Sequence, residues 1–239
     1  MGVKYGYYWE KTDLGGIKMK VHATINGIAV EVEEGTTILR AAQAYGIEIP
    51  TLCYMKELDP EGSCRICMVE VEGAPKLVTA CSTPLNEGSV IHTESEKVIR
   101  SRKKTLDLLL SHHDANCLVC GKNGDCRLQD LCYRYGVERT TYPGDVFDKP
   151  IDDSNEFFTY DPNKCILCHR CVNTCQHITG RGTIGLNERG FRTVVGTPFN
   201  QLWKDTNCEH CGNCVQACPV GALQMKRRKT YRPWEVDKK

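Results

Sequence analysis

Sixteen cysteines stand in a chain of 239 residues, and their spacing shows the chemistry they can do. In the C-terminal third, Cys165, Cys168, Cys171 and Cys175 form one run. Cys208, Cys211, Cys214 and Cys218 form a second, followed by Pro219. Both read C-x2-C-x2-C-x3-C, a spacing that holds 4Fe–4S clusters. Three cysteines three residues apart wrap one corner of a cubane, and the fourth ligand comes from the other run. One cubane then takes Cys165, Cys168, Cys171 and Cys218, and the other takes Cys208, Cys211, Cys214 and Cys175. Structural zinc is the competing reading, but it prefers paired C-x2-C knuckles to triplets. Gln176 follows Cys175 where many ferredoxins carry proline. That departure weakens a simple ferredoxin identity without touching cluster binding.

Upstream, Cys53, Cys64, Cys67 and Cys81 give C-x10-C-x2-C-x13-C. The first gap is longer than the four residues of plant-type 2Fe–2S proteins, so zinc is a serious alternative for this set taken alone. Between the blocks lie His113, Cys117, Cys120 and Cys126, or H-x3-C-x2-C-x5-C, with His112 as a rival for the imidazole. Cys132 fits no set and reads as a buried, inert thiol. Abundant C-x2-C pairs in a reducing compartment mean metal rather than disulfides. Many redox centres in one chain point to electron movement.

The elements around these residues must place them. Val21–Ile25, the Asn26-Gly27 turn and Ile28–Val32 predict a hairpin. Gly35-Thr36-Thr37 starts a helix over Ile38–Tyr45, which Gly46 stops. Further strands are expected at Ile66–Val71, Lys76–Ala80 and Val90–Thr93. This is the outline of a β-grasp 2Fe–2S domain, which favours iron at Cys53, Cys64, Cys67 and Cys81. From Ser95 the spacing of Val98, Ile99, Leu106, Leu109 and Leu110 predicts a helix that delivers His113. Residues 137–155 read as a linker, and Asp161-Pro162 opens the ferredoxin-like part. Ile184–Thr197 is expected to form a hairpin around Glu188-Arg189-Gly190. The class is α+β. The parts are an arm over 1–18, a β-grasp domain over 19–95 and a small helical 4Fe–4S domain with linker over 96–150. A two-cluster ferredoxin-like domain over 151–225 and a basic tail over 226–239 complete them.

Bulk properties narrow the class. The net charge of +1 hides a balance of −5 over residues 1–95, +2 over 96–150 and +4 over 151–239. The tail from Lys226 to Lys239 carries seven basic and two acidic residues. With no reading module beside it, that tail fits a protein partner better than nucleic acid. No apolar run approaches the roughly 18 residues of a membrane span, and no signal peptide opens the chain. A cytoplasmic protein is expected. No Gly-rich nucleotide fingerprint follows a strand, and no nucleophile stands with a base. No catalytic residue is therefore expected. Tyr5, Tyr7, Tyr8 and Trp9 make the arm aromatic, suited to packing on its own chain or on a partner.

The string from His113 to Asp130, with Cys117, Cys120 and Cys126 inside it, resembles the third-cluster motif of the large iron–sulfur subunit of respiratory complex I. Iron-only hydrogenases carry the same motif. The resemblance runs over roughly residues 20–225. It implies that His113, not His112, joins Cys117, Cys120 and Cys126 on a 4Fe–4S cluster. The chain would then hold one 2Fe–2S and three 4Fe–4S clusters. Among related groups, the order of modules and the chain length look most like the iron–sulfur diaphorase subunit of NAD(P)-linked nickel–iron hydrogenases, including electron-bifurcating relatives. That family implies a flavin- and NAD(P)-binding diaphorase subunit as one partner. It implies the small and large nickel–iron hydrogenase subunits as the others. Other expectations are the electron-transfer part of a formate dehydrogenase or complex I-like assembly, or a free polyferredoxin.

Overall fold

A computed structural model describes residues 19–142 and 148–226. The aromatic arm over 1–18 and the tail beyond Lys226 lie outside the described residues.

The N-terminal part is a five-stranded sheet in the order β2-β1-β5-β3-β4. Its strands are β1 (Lys20–Ile25), β2 (Ile28–Glu33), β3 (Met68–Val71), β4 (Val78–Thr79) and β5 (Val90–His92). β1 and β2 pair antiparallel through the Asn26-Gly27 turn, where both residues take positive φ. β5 joins β1 in parallel at the centre. Helix α1 (Ile38–Ala44) packs Ile38, Leu39, Ala41 and Ala42 on the sheet. The Thr37 side chain caps it by accepting from the Arg40 N–H, as Ser and Thr do at helix starts. This is the predicted β-grasp layout. β3, β4 and β5 are each shorter than expected, β3 because Ile66 and Cys67 belong to the cysteine loop.

Helix α2 (Glu96–Leu110) starts at the Ser95 cap, as the sequence predicts. It ends one turn before His113, whose N–H bonds the Leu110 carbonyl. Helix α3 (Arg127–Tyr135) follows directly from Cys126 and stops at Gly136, which takes the left-handed conformation open to glycine. Leu128, Leu131, Cys132 and Tyr135 form its buried stripe.

The C-terminal part pairs β6 (Phe158–Tyr160) with β9 (Leu223–Met225), which brings the two ends of the ferredoxin-like region together. Short helices α4 (Arg170–Asn173) and α5 (Asn213–Ala217) pack between them. The expected hairpin is present as β7 (Gly185–Asn187) and β8 (Val194–Gly196). The linker expectation fails from residue 148 onward. Asp152 pairs with Tyr160 in a bridge, its carboxylate accepts from the Trp203 N–H at 2.9 Å, and Asn155 is buried. Asp and Asn that bond backbone read as loop in sequence, yet here they fasten the segment to the domain. Lys226 bonds Asp153 through its ammonium and Phe157 through its N–H.

Among the described residues, the buried apolar side chains form two cores. One lies under the β-grasp sheet. The other runs without a break from Leu106, Leu128 and Leu131 to Phe158, Trp203 and Leu223. The helical part and the ferredoxin-like part thus share one interior.

Candidate metal centres

The first quartet is two close thiol pairs. Cys64 hydrogen-bonds Cys53, which lowers the Cys53 pKa and raises that of Cys64. Cys67 and Cys81 form the second pair in the same way, with Cys81 lowered and Cys67 raised. Cys67 and Cys81 lie in the β-grasp core, whereas Cys53 and Cys64 pack on the second core, and Cys64, Cys67 and Cys81 are buried. Arg65, between Cys64 and Cys67, takes positive φ and turns the loop so that its two thiols face inward.

The ten-residue gap after Cys53 has a structural role. It reaches across to the ferredoxin-like domain, where Glu61 accepts from His169 at 2.8 Å and from Asn173 at 2.7 Å. Met55 in the same loop meets the Thr174 hydroxyl. Sequence alone shows the long gap as a departure from the plant pattern and gives no reason for it.

Two further quartets line cavities. Cys165, Cys168, Cys171 and Cys218 surround one, walled by Tyr160, Ile166 and Val220. Cys175, Cys208, Cys211 and Cys214 surround the other, walled by Phe158, Ile184 and Trp203. The sets gathered are those the crossed-ligand rule gives. Burial pushes the Cys165, Cys168 and Cys214 thiols up to about 12, and neighbouring thiols push in the same direction. Protonated thiols cannot ligate, so these pockets suit a bound cation that offsets the loss of water.

The two runs share a backbone pattern. Leu167 and His169 take positive φ in one, and His210 and Gly212 take it at the matching places in the other. Each turn aims an N–H at the first sulfur of its run. Leu167 donates to Cys165 and His210 to Cys208, both at 3.4 Å.

The last set is looser. Cys117 opens a 3-10 turn (Cys117–Val119), Cys126 caps α3, and Cys117, Cys120 and Cys126 lie within electrostatic reach of one another. His113 is drawn in beside Lys164. Burial lowers its pKa, against Asp114, Asp161 and the Lys164 carbonyl, which raise it. Its Nδ1 is buried with no hydrogen-bond partner. A buried imidazole with an orphaned ring nitrogen, four residues before Cys117, has the chemistry of a cluster ligand. His112 instead packs near Phe191, with ring centroids 6.1 Å apart. Cys132 is buried in the α3 stripe.

The sets meet at one place. The Cys120 sulfur lies 2.6 Å from where a Cβ on Gly221 would stand. Asp114 donates its N–H to the Asn163 carbonyl, and Arg127 donates its N–H to that of Pro219. The quartet of Cys165, Cys168, Cys171 and Cys218 is therefore flanked by the His113 set, by the Glu61 loop of the first quartet, and by the fourth quartet through Cys214. Among the described residues, no three His, Cys, Asp or Glu side chains converge tightly enough for a single metal ion. No described helix is long and apolar enough to cross a membrane.

Comparison with known proteins gives a consistent family. Residues 18–96 match the 2Fe-2S iron–sulfur cluster binding domain. Residues 102–141 match the NADH-ubiquinone oxidoreductase-G iron–sulfur binding region, and 156–224 the ferredoxin-like domain of NADH-quinone oxidoreductase subunit 3. The alpha subunit of NADPH-Fe(3+) oxidoreductase from Geobacter sulfurreducens is 43% identical over 90% of this chain and 25% of its own length. A subunit of the NADP-reducing hydrogenase of Solidesulfovibrio fructosivorans is 41% identical over 84% of this chain and 35% of its own length. The mitochondrial NADH-ubiquinone oxidoreductase 78 kDa subunit of Candida albicans is 35% identical over 91% of this chain and 30% of its own length. The chain thus spans about a quarter to a third of these curated relatives. A chain in the crystal structure of NAD+-reducing NiFe-hydrogenase, in the H2-reduced state, superposes with a TM-score of 0.81. It is 31% identical, and the match covers 89% of this chain and 90% of that one. The chain belongs to the family built on the N-terminal iron–sulfur region of the large complex I subunit, whose domains carry electrons in NAD-linked oxidoreductases and hydrogenases.

Proposed function

We propose that this chain relays electrons through four iron–sulfur centres between a flavin- and NAD(P)-binding subunit and a nickel–iron hydrogenase module. The 2Fe–2S centre is held by Cys53, Cys64, Cys67 and Cys81. The 4Fe–4S centres are held by His113, Cys117, Cys120 and Cys126, by Cys165, Cys168, Cys171 and Cys218, and by Cys208, Cys211, Cys214 and Cys175. These clusters supply one-electron chemistry; the chain positions them and sets their surroundings. The observation that carries the reading is the lining of two cavities by two cysteine quartets, in an interior that the helical and ferredoxin-like parts share. The near end-to-end match to a hydrogenase chain supports the choice of complex.

The layout favours a relay with a centre and three arms over a single file. The set at Cys165, Cys168, Cys171 and Cys218 has segments of the other three beside it: the Glu61 loop, Cys120 at Gly221, and Cys214. Leu118 and Val119, between two cysteines of the His113 set, are 90% and 78% exposed. Such an apolar tip beside a redox centre suits docking of a partner subunit. Basic residues 226–239 are expected to add an acidic partner surface.

A second reading has its own support. Identity is higher to the NADPH-Fe(3+) oxidoreductase subunit, at 43%, than to the hydrogenase chain, at 31%. Purification of the native assembly without oxygen separates the two. Co-purification with nickel and hydrogen-dependent NAD(P) reduction is expected. An assembly with flavin but no nickel would overturn the hydrogenase assignment and leave the relay standing. The chain alone is expected to turn over neither H2 nor NAD(P).

A further inference from the structure

Arg170 opens α4 between Cys168 and Cys171 and is half-buried. Its Nε is buried with no hydrogen-bond partner. A buried donor left unpaired loses its water and gains nothing in return, which is costly. The guanidinium also faces a second cation, Arg127, with which its interaction is unfavourable. The neighbours that favour its charge are the sulfurs of Cys168, Cys218 and Cys53. An arginine with a buried, orphaned Nε and sulfurs as its favourable neighbours suits an anion seated at those sulfurs.

We infer that Arg170 is a positioning residue shared by two redox centres, its Nε–H donating to a sulfur of the centre at Cys165, Cys168, Cys171 and Cys218 while its charge also faces the centre at Cys53. This rests on the ligand sets proposed above. Hydrogen bonds to sulfur and nearby positive charge both favour the reduced, more negative cluster. Arg170 therefore makes both centres easier to reduce, and the cubane more so, because it receives the hydrogen bond as well.

The test is an EPR-monitored redox titration of the complete chain with its clusters loaded, alongside iron analysis. Arg170→Gln removes the charge and is expected to make the cubane about tenfold harder to reduce, or 59 mV for one electron. The 2Fe–2S centre is expected to shift the same way by less. Arg170→Lys keeps a charge but lacks Nε, so it should lower the cubane potential and leave the 2Fe–2S centre near its original value. Unchanged potentials at both centres in Arg170→Gln would overturn the inference. So would an equal shift at the centre of Cys208, Cys211, Cys214 and Cys175, which would indicate a general packing effect. If Arg170→Gln fails to assemble, an unchanged cubane potential in Arg170→Lys overturns it. If the unaltered chain lacks either centre by iron and EPR, the ligand sets fail and the inference falls with them.

Discussion

Arg102 donates to the Tyr135 hydroxyl at 2.7 Å, and through that pair α2 and α3 are tied to the loop of the first cysteine quartet. Arg102 is 0% exposed. Its other donors reach Glu94 at 2.8 Å and the carbonyls of Ile66 and Met68, each at 3.0 Å. Those two carbonyls flank Cys67. The guanidinium also lies 5.7 Å from the Tyr135 ring centre. A buried charge is tolerable here because every contact is a matched one.

Removing the guanidinium should be costly. Arg102→Met is expected to destabilise the loaded chain by about 3–5 kcal/mol, since it leaves the carbonyls of Ile66 and Met68 without their donor and takes from Glu94 one of its two arginines, Arg134 remaining. Tyr135→Phe deletes one partner and should cost about 1 kcal/mol. Denaturant titration without oxygen, followed at the 2Fe–2S absorbance, checks both. Equal effects from the two variants would contradict the shared role.

His113→Ala should change the EPR signature of one 4Fe–4S centre and spare the other three. His112→Ala should change none. The basis is the orphaned Nδ1 of His113 and the packing of His112 near Phe191. The reverse pattern would move the ligand by one residue.

Cys132 should be dispensable for iron. Burial, helped by nearby Cys126 and Cys117, pushes its thiol up to about 11. It therefore stays protonated at pH 8, and only the thiolate reacts. The loaded chain is expected to take almost no alkylating label at pH 8, with labelling rising as pH approaches 11. Cys132→Ser should keep full iron. Loss of a centre in that variant would mean that a ligand set is misassigned.

Gly221→Ala places a methyl 2.6 Å from the Cys120 sulfur, closer than carbon and sulfur can pack. The His113 centre should lose occupancy or shift its spectrum, while the 2Fe–2S centre stays intact. EPR of the loaded variant reads this directly. Wild-type spectra throughout would show that the contact relaxes when iron is present.

Total iron should be about fourteen atoms per chain, two from the 2Fe–2S centre and four from each of the other three. Stoichiometric zinc, or iron near eight, would break the four-centre scheme.

Much of the fold and of the ligand sets is legible in residue types. The double run of cysteines, Thr37 and Ser95 as helix caps, and the Asn26-Gly27 turn all act through short-range rules. The start of β3 is less legible, because Ile66 and Cys67 belong to the cysteine loop and not to the strand. Helix α3 is absent from the sequence expectations, although Leu128, Leu131, Cys132 and Tyr135 carry a helical period. The cysteine spacing that ends at Cys126 dominates the local signal there. Arg102, Arg170, Glu61 and Gly221 carry no such mark. Each matters through a neighbour far along the chain, and nothing local shows an arginine to be buried or a glycine to be pressed against a sulfur.

The crossing of ligands between the two C-terminal runs has a consequence for biosynthesis. Under the proposed sets, the β-grasp site is complete once Cys81 has left the ribosome. Neither cubane of the ferredoxin-like domain can close until its partner run is made, and the central one waits for Cys218. The His113 site is complete in sequence at Cys126, yet its seat is built by Pro219 and Gly221. A ribosome stalled anywhere between residues 130 and 215 thus displays a loaded first site and a row of unclaimed thiols. Under those sets, most of the iron would be delivered after translation, and truncated chains would carry cysteines that the finished one commits to clusters.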